Sequence, residues 1–188
     1  LARERIYREL FPGSPLANCS VDPSTIDLLE PGEFSRFHGE RFCPSAGLIG
    51  FAGPLPEDKA AGLAGRYLGR SGPRKLALRT VPEVPGLQRR ICLIHRPGSH
   101  QAKIMVGIHA PARKKGLNLP LKVMNQVFGG GGSSRIFMNL REARGYTYGA
   151  YSYLRQSNYA GACLVSTSVN NSAAADSIRE IFREMDRM

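Results

Sequence analysis

The residues best equipped for chemistry cluster between positions 129 and 155. The sharpest arrangement is Leu140-Arg141-Glu142-Ala143-Arg144-Gly145-Tyr146-Thr147-Tyr148-Gly149. Here a helical segment ending in arginines breaks at a glycine and runs into a Tyr-bearing strand. Arginine supplies a planar charged fork and tyrosine a hydroxyl donor, so Arg141 and Tyr148 could together hold a peptide carbonyl or polarise an oxyanion. A surface arginine beside a packed tyrosine is the plain alternative. Just upstream stand four consecutive glycines, Gly129–Gly132, followed by Ser133-Ser134-Arg135. Backbone N–H groups in such a run can cradle an anion. A Walker A loop, however, needs Lys-Ser/Thr after its glycines, and a dinucleotide loop needs a strand before them, where a helix is read here. A helix–helix turn is the simpler reading, although four glycines exceed what one helix C-cap uses.

The other reactive side chains form no constellation. The four histidines, His38, His95, His100 and His109, include no pair spaced to put two imidazoles on one helical face for zinc. All four read as surface or internally satisfied residues. Cys19, Cys43, Cys92 and Cys163 show no C-x-x-C spacing. Cys92 and Cys163 lie in apolar runs and read as small core groups.

The elements that must position these groups follow from periodicity. An amphipathic helix is expected over 3–10, a helical turn over 24–29, and a helix from Pro31 to about Arg41 with Phe34 and Phe37 on one face. A short buried strand is expected over 46–53 and a helix over 58–68. Residues 70–88 are rich in Gly, Pro and charge and mark the internal boundary, with a linker at 76–88. Strands are then expected over 90–95 and 103–110, the latter alternating with period two. A helix over 119–128 follows, its core face formed by Leu121, Met124, Val127 and Phe128. Ser133 or Ser134 caps a further helix through Ala143. Strands over 148–154 and 160–168 precede a last helix, 172–187, whose Ala174, Ile178, Ile181, Phe182 and Met185 make an apolar stripe. Grouped strands with runs of helix give an α+β fold, mostly antiparallel, with helices packed on one face of the sheet.

Composition narrows the function classes. The 188 residues carry a net charge of +11. The stretch 84–175 holds 12 basic residues and one acid, Glu142, so the whole excess lies in one segment. A partner would sense a one-sided field, which suits nucleic acid, acidic peptide or anionic lipid. Nucleic-acid binding finds no zinc finger, RNP-type strand or clear helix-turn-helix, although Tyr146, Tyr148, Tyr151, Tyr153 and Tyr159 lie among Arg141, Arg144 and Arg155. No apolar run approaches the roughly 20 residues of a membrane span. The start, Leu1-Ala2-Arg3-Glu4-Arg5, has neither an initiator Met nor a signal-peptide core and reads as a piece of something longer.

The run from Val123 to Tyr148 closely resembles a signature of the pitrilysin-type zinc metallopeptidases, the family of insulysin, the mitochondrial processing peptidases and many bacterial zinc proteases. Its usual form is a helix ending in Leu-Gly-Gly-Gly, then Ser-Ser-Arg-Leu, then Leu-Arg-Glu-Lys-Arg-Gly-Leu-Ala-Tyr-Ser. More loosely, Phe37-His38-Gly39-Glu40-Arg41-Phe42-Cys43-Pro44 is similar to the segment that precedes a strand in that family. Phe11-Pro12-Gly13-Ser14-Pro15 and Gly53-Pro54 depart from its pattern.

The resemblance implies a metallohydrolase-like αβ sandwich in two segments. Residues 1–75 would end one αβ homology domain, and 89–188 would begin the following, non-catalytic one. It also implies that zinc is held upstream of this chain, with neither metal nor cofactor in the chain itself. The chain alone would then be inactive, its partners being a zinc-bearing catalytic domain or subunit and a peptide substrate. Arg141 and Tyr148 match the Arg and Tyr that the family's non-catalytic half extends to the active site, to hold substrate backbone and support the oxyanion. Gly130, Gly131 and Ser133 would border that site. Two alternatives stand beside this: a structural, core-protein-like subunit of the same fold, and a basic nucleic-acid-binding module. The compartment is open; the resemblance allows a bacterial periplasm.

Overall fold

The computed structural model describes residues 1–18, 20–42, 47–69, 86 and 88–188. They belong to two compact units, one formed by residues 1–20 and 81–188 and the other by 21–80. Apart from residues 86 and 88, the linker expected at 76–88 lies outside the described residues.

Helix α1 (Ala2–Leu10) opens the larger unit, with Glu4 in its first turn and Arg8 in its last, each favourable to the helix dipole. The smaller unit carries α2 (Pro23–Asp27), α3 (Pro31–Arg41) and α4 (Glu57–Leu68). The Asp22 carboxylate caps α2 by accepting from the Ser24 N–H at 3.1 Å, and Pro31 opens α3. Phe34 and Phe37 stand three apart on α3, yet both are exposed. The buried strand expected over 46–53 is not formed in its described part, residues 47–53, and Leu48 is 99% exposed. A strand exists only where a neighbour takes up its N–H and C=O groups. Among the described residues of this unit there is no second strand to do so.

The larger unit contains β1 (Gln101–Ala110), α5 (Asn118–Gly129), α6 (Arg135–Phe137), β2 (Thr147–Gln156), β3 (Gly161–Asn170) and α7 (Ala174–Asp186). The three strands form an antiparallel sheet in the order β1-β3-β2. Its register runs from Gln101 opposite Asn170 to Ala110 opposite Gly161, and from Gln156 opposite Gly161 to Ala150 opposite Thr167. The strand expected over 90–95 is absent, and its Ile91 is 97% exposed. Apolar alternation alone supplied no ladder partner there.

Strand alternation divides the packing. One face contributes Ile104, Ala150, Val165 and Val169 to a core with Phe128 of α5, Ile136 of α6, Leu140 and Ile181 of α7. The other contributes Ala162 and Leu164, which pack against Leu10 and Phe11 at the end of α1. The buried face of α7 departs from the expected apolar stripe. Ile181 is buried and Ala174 and Met185 pack against the core as expected, but Ile178 and Phe182 are exposed, and Ser177, Glu180 and Glu184 are buried in their stead. The arginines described below fix that rotation, because two buried carboxylates need cationic partners.

Of the expected core face of α5, Phe128 is buried and Val127 is exposed. Beyond Phe128 the glycine run serves close approach. A Cβ on Gly129 would lie 2.6 Å from Ile136 Cδ1 and from the backbone N of Ser152, whereas one on Gly132 meets nothing nearer than 3.9 Å. None of the four glycines has a positive φ. Gly129→Ala should therefore cost about 1–3 kcal/mol. Gly132→Ala should be neutral or stabilise by about 0.5 kcal/mol through the unfolded chain. Paired urea melts of the two variants measure the difference.

Candidate functional site

Arg141 sits in a stretch of helix wound more widely than an α-helix. Helix α6 continues without a break into a π-helical turn, Met138–Ala143. The turn ends at Gly145, whose φ of +65° places it in the left-handed region that glycine adopts without a Cβ penalty. The Gly145 N–H donates to the Arg141 carbonyl (3.0 Å) and the Tyr146 N–H to that of Leu140 (2.9 Å). The first is the bond of a simple left-handed helix cap, and the second reaches one residue further back than its Schellman counterpart, as the wider π turn requires. The Arg141 guanidinium lies 5.1 Å from the Phe137 ring centroid, and its Nε is 3.5 Å from the Glu142 carboxylate. Both charged groups are about half exposed.

Tyr148 occupies a β-bulge. The register shifts by one residue between Thr147, opposite Val169, and Ala150, opposite Thr167. Tyr148 and Gly149 together therefore face the single residue Ser168. A bulge re-aims the side chain it carries, and Tyr148 is 87% exposed although it lies within a strand. Two hydroxyls pin the irregularity. Thr147 Oγ1 lies 2.7 Å from the Ser168 carbonyl and accepts from the Gly149 N–H at 3.1 Å. The buried Thr167 hydroxyl lies 3.0 Å from both the Gly149 carbonyl and Thr147 Oγ1. The Tyr151 ring covers Gly149, where a Cβ would meet its Cε2 at 2.8 Å. That ring packs 5.7 Å from Phe137, whose own ring lies beneath Arg141. A run of contacts through Phe137 and the inclined Tyr151 ring thus joins the Arg141 turn to Gly149 of the bulge.

The Arg141 turn is anchored from α7. Glu180 and Glu184 are only 5% and 6% exposed. Asn139 in the π turn donates to both, at 3.1 and 2.8 Å. Arg135 holds Glu184 through Nε at 2.9 Å and Nη2 at 2.8 Å. Arg144 reaches Glu180 at 2.9 Å and gives its Nε–H to the Asn139 side-chain oxygen at 2.9 Å. Arg183 and Arg187 complete the set from α7 itself. The clasp grips the turn before, within and after the stretch that bears Arg141. Neither buried glutamate is legible in the apolar pattern of α7. The bulge had one signal, a glycine inside a strand, Gly149.

The remaining expected residues separate. Gly130 borders, with Gly129, a groove along β2, whereas Gly131 and Ser133 stand in the turn that follows and do not line it. Ser134 takes the N-cap position of α6, but its hydroxyl bonds back to the Gly131 carbonyl at 2.5 Å rather than capping the helix. Cys163 is buried, and burial pushes its thiol up, as suits a small core group. Cys92, expected in a core, is exposed. Cys19 and Cys43 lie outside the described residues. Among the described residues no three His, Cys, Asp or Glu side chains converge as metal ligands. His109 is committed to the Leu10 carbonyl at 2.6 Å and stacks on Phe11, and the buried glutamates are taken up by guanidinium groups. These residues do not make a zinc site.

The clasp has a pH signature. Burial by itself raises the Glu184 carboxyl, but the hydrogen bonds from Asn139 and Arg135 and the charges of Arg135 and Arg187 outweigh it, leaving the group below the usual carboxylate range. A value depressed in the folded state gives stability that is complete above the unfolded-state value and is lost as pH falls through the folded one. Unfolding free energy should thus decline progressively as the pH falls below about 5. Glu184→Gln should lower stability at neutral pH by about 2 kcal/mol and flatten that decline. Chemical denaturation across the pH range tests both effects.

Comparison with known proteins places this geometry. Residues 29–188 match the peptidase M16 inactive domain model. An uncharacterized zinc protease of Mycobacterium tuberculosis is 28% identical over 149 residues, covering 77% of this chain and 34% of its own length. One of Streptomyces coelicolor is 30% identical over 135 residues, covering 69% and 29%. The chain spans about a third of the length of these curated relatives. A crystal structure of a peptidase M16 inactive domain from Pseudomonas fluorescens superposes with a TM-score of 0.85 at 22% identity, over 97% of this chain and 45% of that one. A protease from Helicobacter pylori gives 0.77 at 16% identity, over 93% and 44%. Both share the α+β fold. With the family model covering most of the sequence, including the whole Arg141–Tyr148 segment, the chain belongs to the peptidase M16 inactive-domain family.

Proposed function

We propose that this chain is the non-catalytic, substrate-holding part of a zinc metalloendopeptidase, acting opposite a zinc site carried by another domain or subunit. The observation that carries the reading is the exposed pair Arg141 and Tyr148, held at the two ends of one run of contacts, the first by a clasped π turn and the second by a pinned bulge. Such rigid support suits groups that must meet a developing charge without reorganising. Arg141 would hold substrate backbone through its guanidinium fork, and the Tyr148 hydroxyl would donate to the oxyanion as the carbonyl is attacked. Gly130, Gly131 and Ser133 would border the bound peptide. Peptide cleavage and zinc are properties of the assembled enzyme in this reading, consistent with the zinc-protease relatives that extend well beyond this chain.

The same reading accounts for the smaller unit. Residues 1–75, which take in most of that unit and also α1 of the larger one, would close the preceding αβ domain, with a strand at 46–53 completed by a sheet carried elsewhere. The exposure of Leu48, Ile49 and Phe51 supports this, since a strand sequence without neighbours leaves its apolar side chains in water.

In the peptidase assembled with its zinc-bearing half, Arg141→Ala and Tyr148→Phe should each lower kcat/KM by about 10²- to 10³-fold while zinc content stays unchanged. Steady-state kinetics and metal analysis on the same preparations decide the matter. Normal kinetics in both variants overturns the assignment. A wild-type assembly that cleaves no peptide favours a structural subunit of the same fold.

A further inference from the structure

The end of the sheet opposite Tyr148 carries an exposed patch that the substrate-holding reading leaves unused. There the loop after β1, residues 111–117, packs on the turn between β2 and β3. The Arg113 N–H donates to the Ser157 carbonyl at 2.8 Å, and its guanidinium donates to the Gln156 carbonyl at 3.2 Å. The Gln156 side-chain amide donates in return to the Pro111 carbonyl at 2.9 Å. Within the loop the Lys114 N–H donates to Asn118 Oδ1 at 3.2 Å. Gly116 turns the chain at a φ of +93°, in the left-handed region that favours glycine. The Ser157 N–H closes the hairpin turn on the Ala160 carbonyl at 2.9 Å. The two segments therefore form one preformed tip, which needs little ordering when something binds it.

Two kinds of side chain stand out from that tip. Arg113, Lys114, Lys115 and Arg155 are all exposed. Among the described residues none of these four makes an ion pair, whereas Arg90, Arg135 and Arg144 each do. Glu142, the one acid of the segment 84–175, lies in the π turn at the other end of the sheet. Glu9 of α1 is already held by Arg5 at 2.6 Å and Arg90 at 3.1 Å. Beside the cations stand apolar groups: Leu117 is 47%, Leu119 71% and Tyr159 57% exposed. Single exposed apolar residues are ordinary, but three on one tip with four unpaired cations call for a partner that uses both. Nucleic-acid phosphates would engage the cations and leave the leucines idle. An anionic lipid surface engages both, since headgroups meet the cations, leucines enter the acyl boundary and a tyrosine ring sits at headgroup level.

We propose that this tip is a peripheral docking surface for an anionic membrane. Arg113, Lys114, Lys115 and Arg155 meet the headgroups, while Leu117, Leu119 and Tyr159 enter the interface. A basic cluster or a small apolar group holds a membrane weakly by itself, and the two together suffice for attachment without a spanning helix. Tyr148 and Gln156 lie near opposite ends of β2, about 25 Å apart at the rise of a strand, so docking at the tip holds the Arg141–Tyr148 end clear of the lipid.

Co-sedimentation of the whole protein with phosphatidylcholine vesicles, with and without phosphatidylglycerol, tests this. Binding should require phosphatidylglycerol and weaken as salt rises. Lys114→Gln combined with Lys115→Gln should weaken it by about twentyfold, each cation near an anionic surface being worth about fivefold. Leu117→Ser combined with Leu119→Ser should weaken it by about tenfold at unchanged salt dependence, because apolar insertion is not screened. Arg141→Ala, at the other end of the sheet, should bind as the wild type does. Soluble glycerol phosphate should not displace the protein, which separates a lipid surface from a site for free phosphate. Absence of binding to the anionic vesicles overturns the proposal. Binding that the leucine variant leaves intact, or an equal loss in Arg141→Ala, overturns it too, since either makes the attraction one of net charge alone. Tighter binding to a duplex oligonucleotide than to the vesicles, weakened in the lysine variant only, assigns the tip to nucleic acid instead.

Discussion

Two carboxylates buried against a helix–turn junction set the terms for the rest of this unit. A buried charge is tolerated only with partners that satisfy nearly all its lone pairs, and losing one partner leaves a strongly unfavourable group. Glu180 and Glu184 meet that condition only if α7 is rotated to face the π turn and Arg135, Asn139 and Arg144 all stand where they do. That requirement displaces part of the apolar stripe of α7, leaving Ile178 and Phe182 exposed while the glutamates go inside beside Ile181. Apolar packing alone would tolerate several rotations of α7, because contacts are non-directional. Directional, charge-assisted bonds admit far fewer.

The two candidate residues inherit their positions from different devices. Arg141 depends on the clasp and on the left-handed Gly145 that ends its turn. Tyr148 depends on a one-residue bulge held by two threonine hydroxyls. Phe137 and Tyr151 connect them, so a displacement at either end is transmitted through aromatic contact rather than through backbone alone. Extra residues in a helix and in a strand each cost regular hydrogen bonding. The π turn and the bulge meet at one end of the sheet, and that is what brings Arg141 and Tyr148 to the surface in the same region.

Much of this was legible before the structure and some of it was not, for reasons tied to particular residues. Period-two alternation at Ile104, Val106 and Ile108 identifies β1, and the break at Gly145 identifies the end of the Arg141 helix, because both signals are local. The strands expected at 46–53 and 90–95 fail in their described residues for the opposite reason: apolar residues are necessary for a strand, but its hydrogen-bond partners lie elsewhere in the chain or outside it. The buried face of α7 was hidden because Glu180 and Glu184 read as solvent-facing until Arg135 and Arg144, 36 or more positions away, are brought opposite them. The glycine run was read as a turn with residues to spare. Gly129 is needed for the approach of α5 to Ser152, which no local pattern encodes.

The charge excess of the segment 84–175 divides along the same line. Arg135 and Arg144 carry their charge inward to α7, Arg90 pairs with Glu9 of α1 at 3.1 Å, and Arg141 has Glu142 beside it. Arg135, Arg144 and Arg90 hold the architecture, and each of the four has its charge offset by a neighbouring carboxylate. The outward field comes from the others, among them Arg113, Lys114, Lys115 and Arg155, gathered where the β2–β3 hairpin meets the loop after β1. A net charge of +11 therefore overstates the basic surface in amount and understates it in order. Part of it is internal mortar, and the outward part is gathered at the tip of the β2–β3 hairpin, where Arg113 donates to the Gln156 carbonyl.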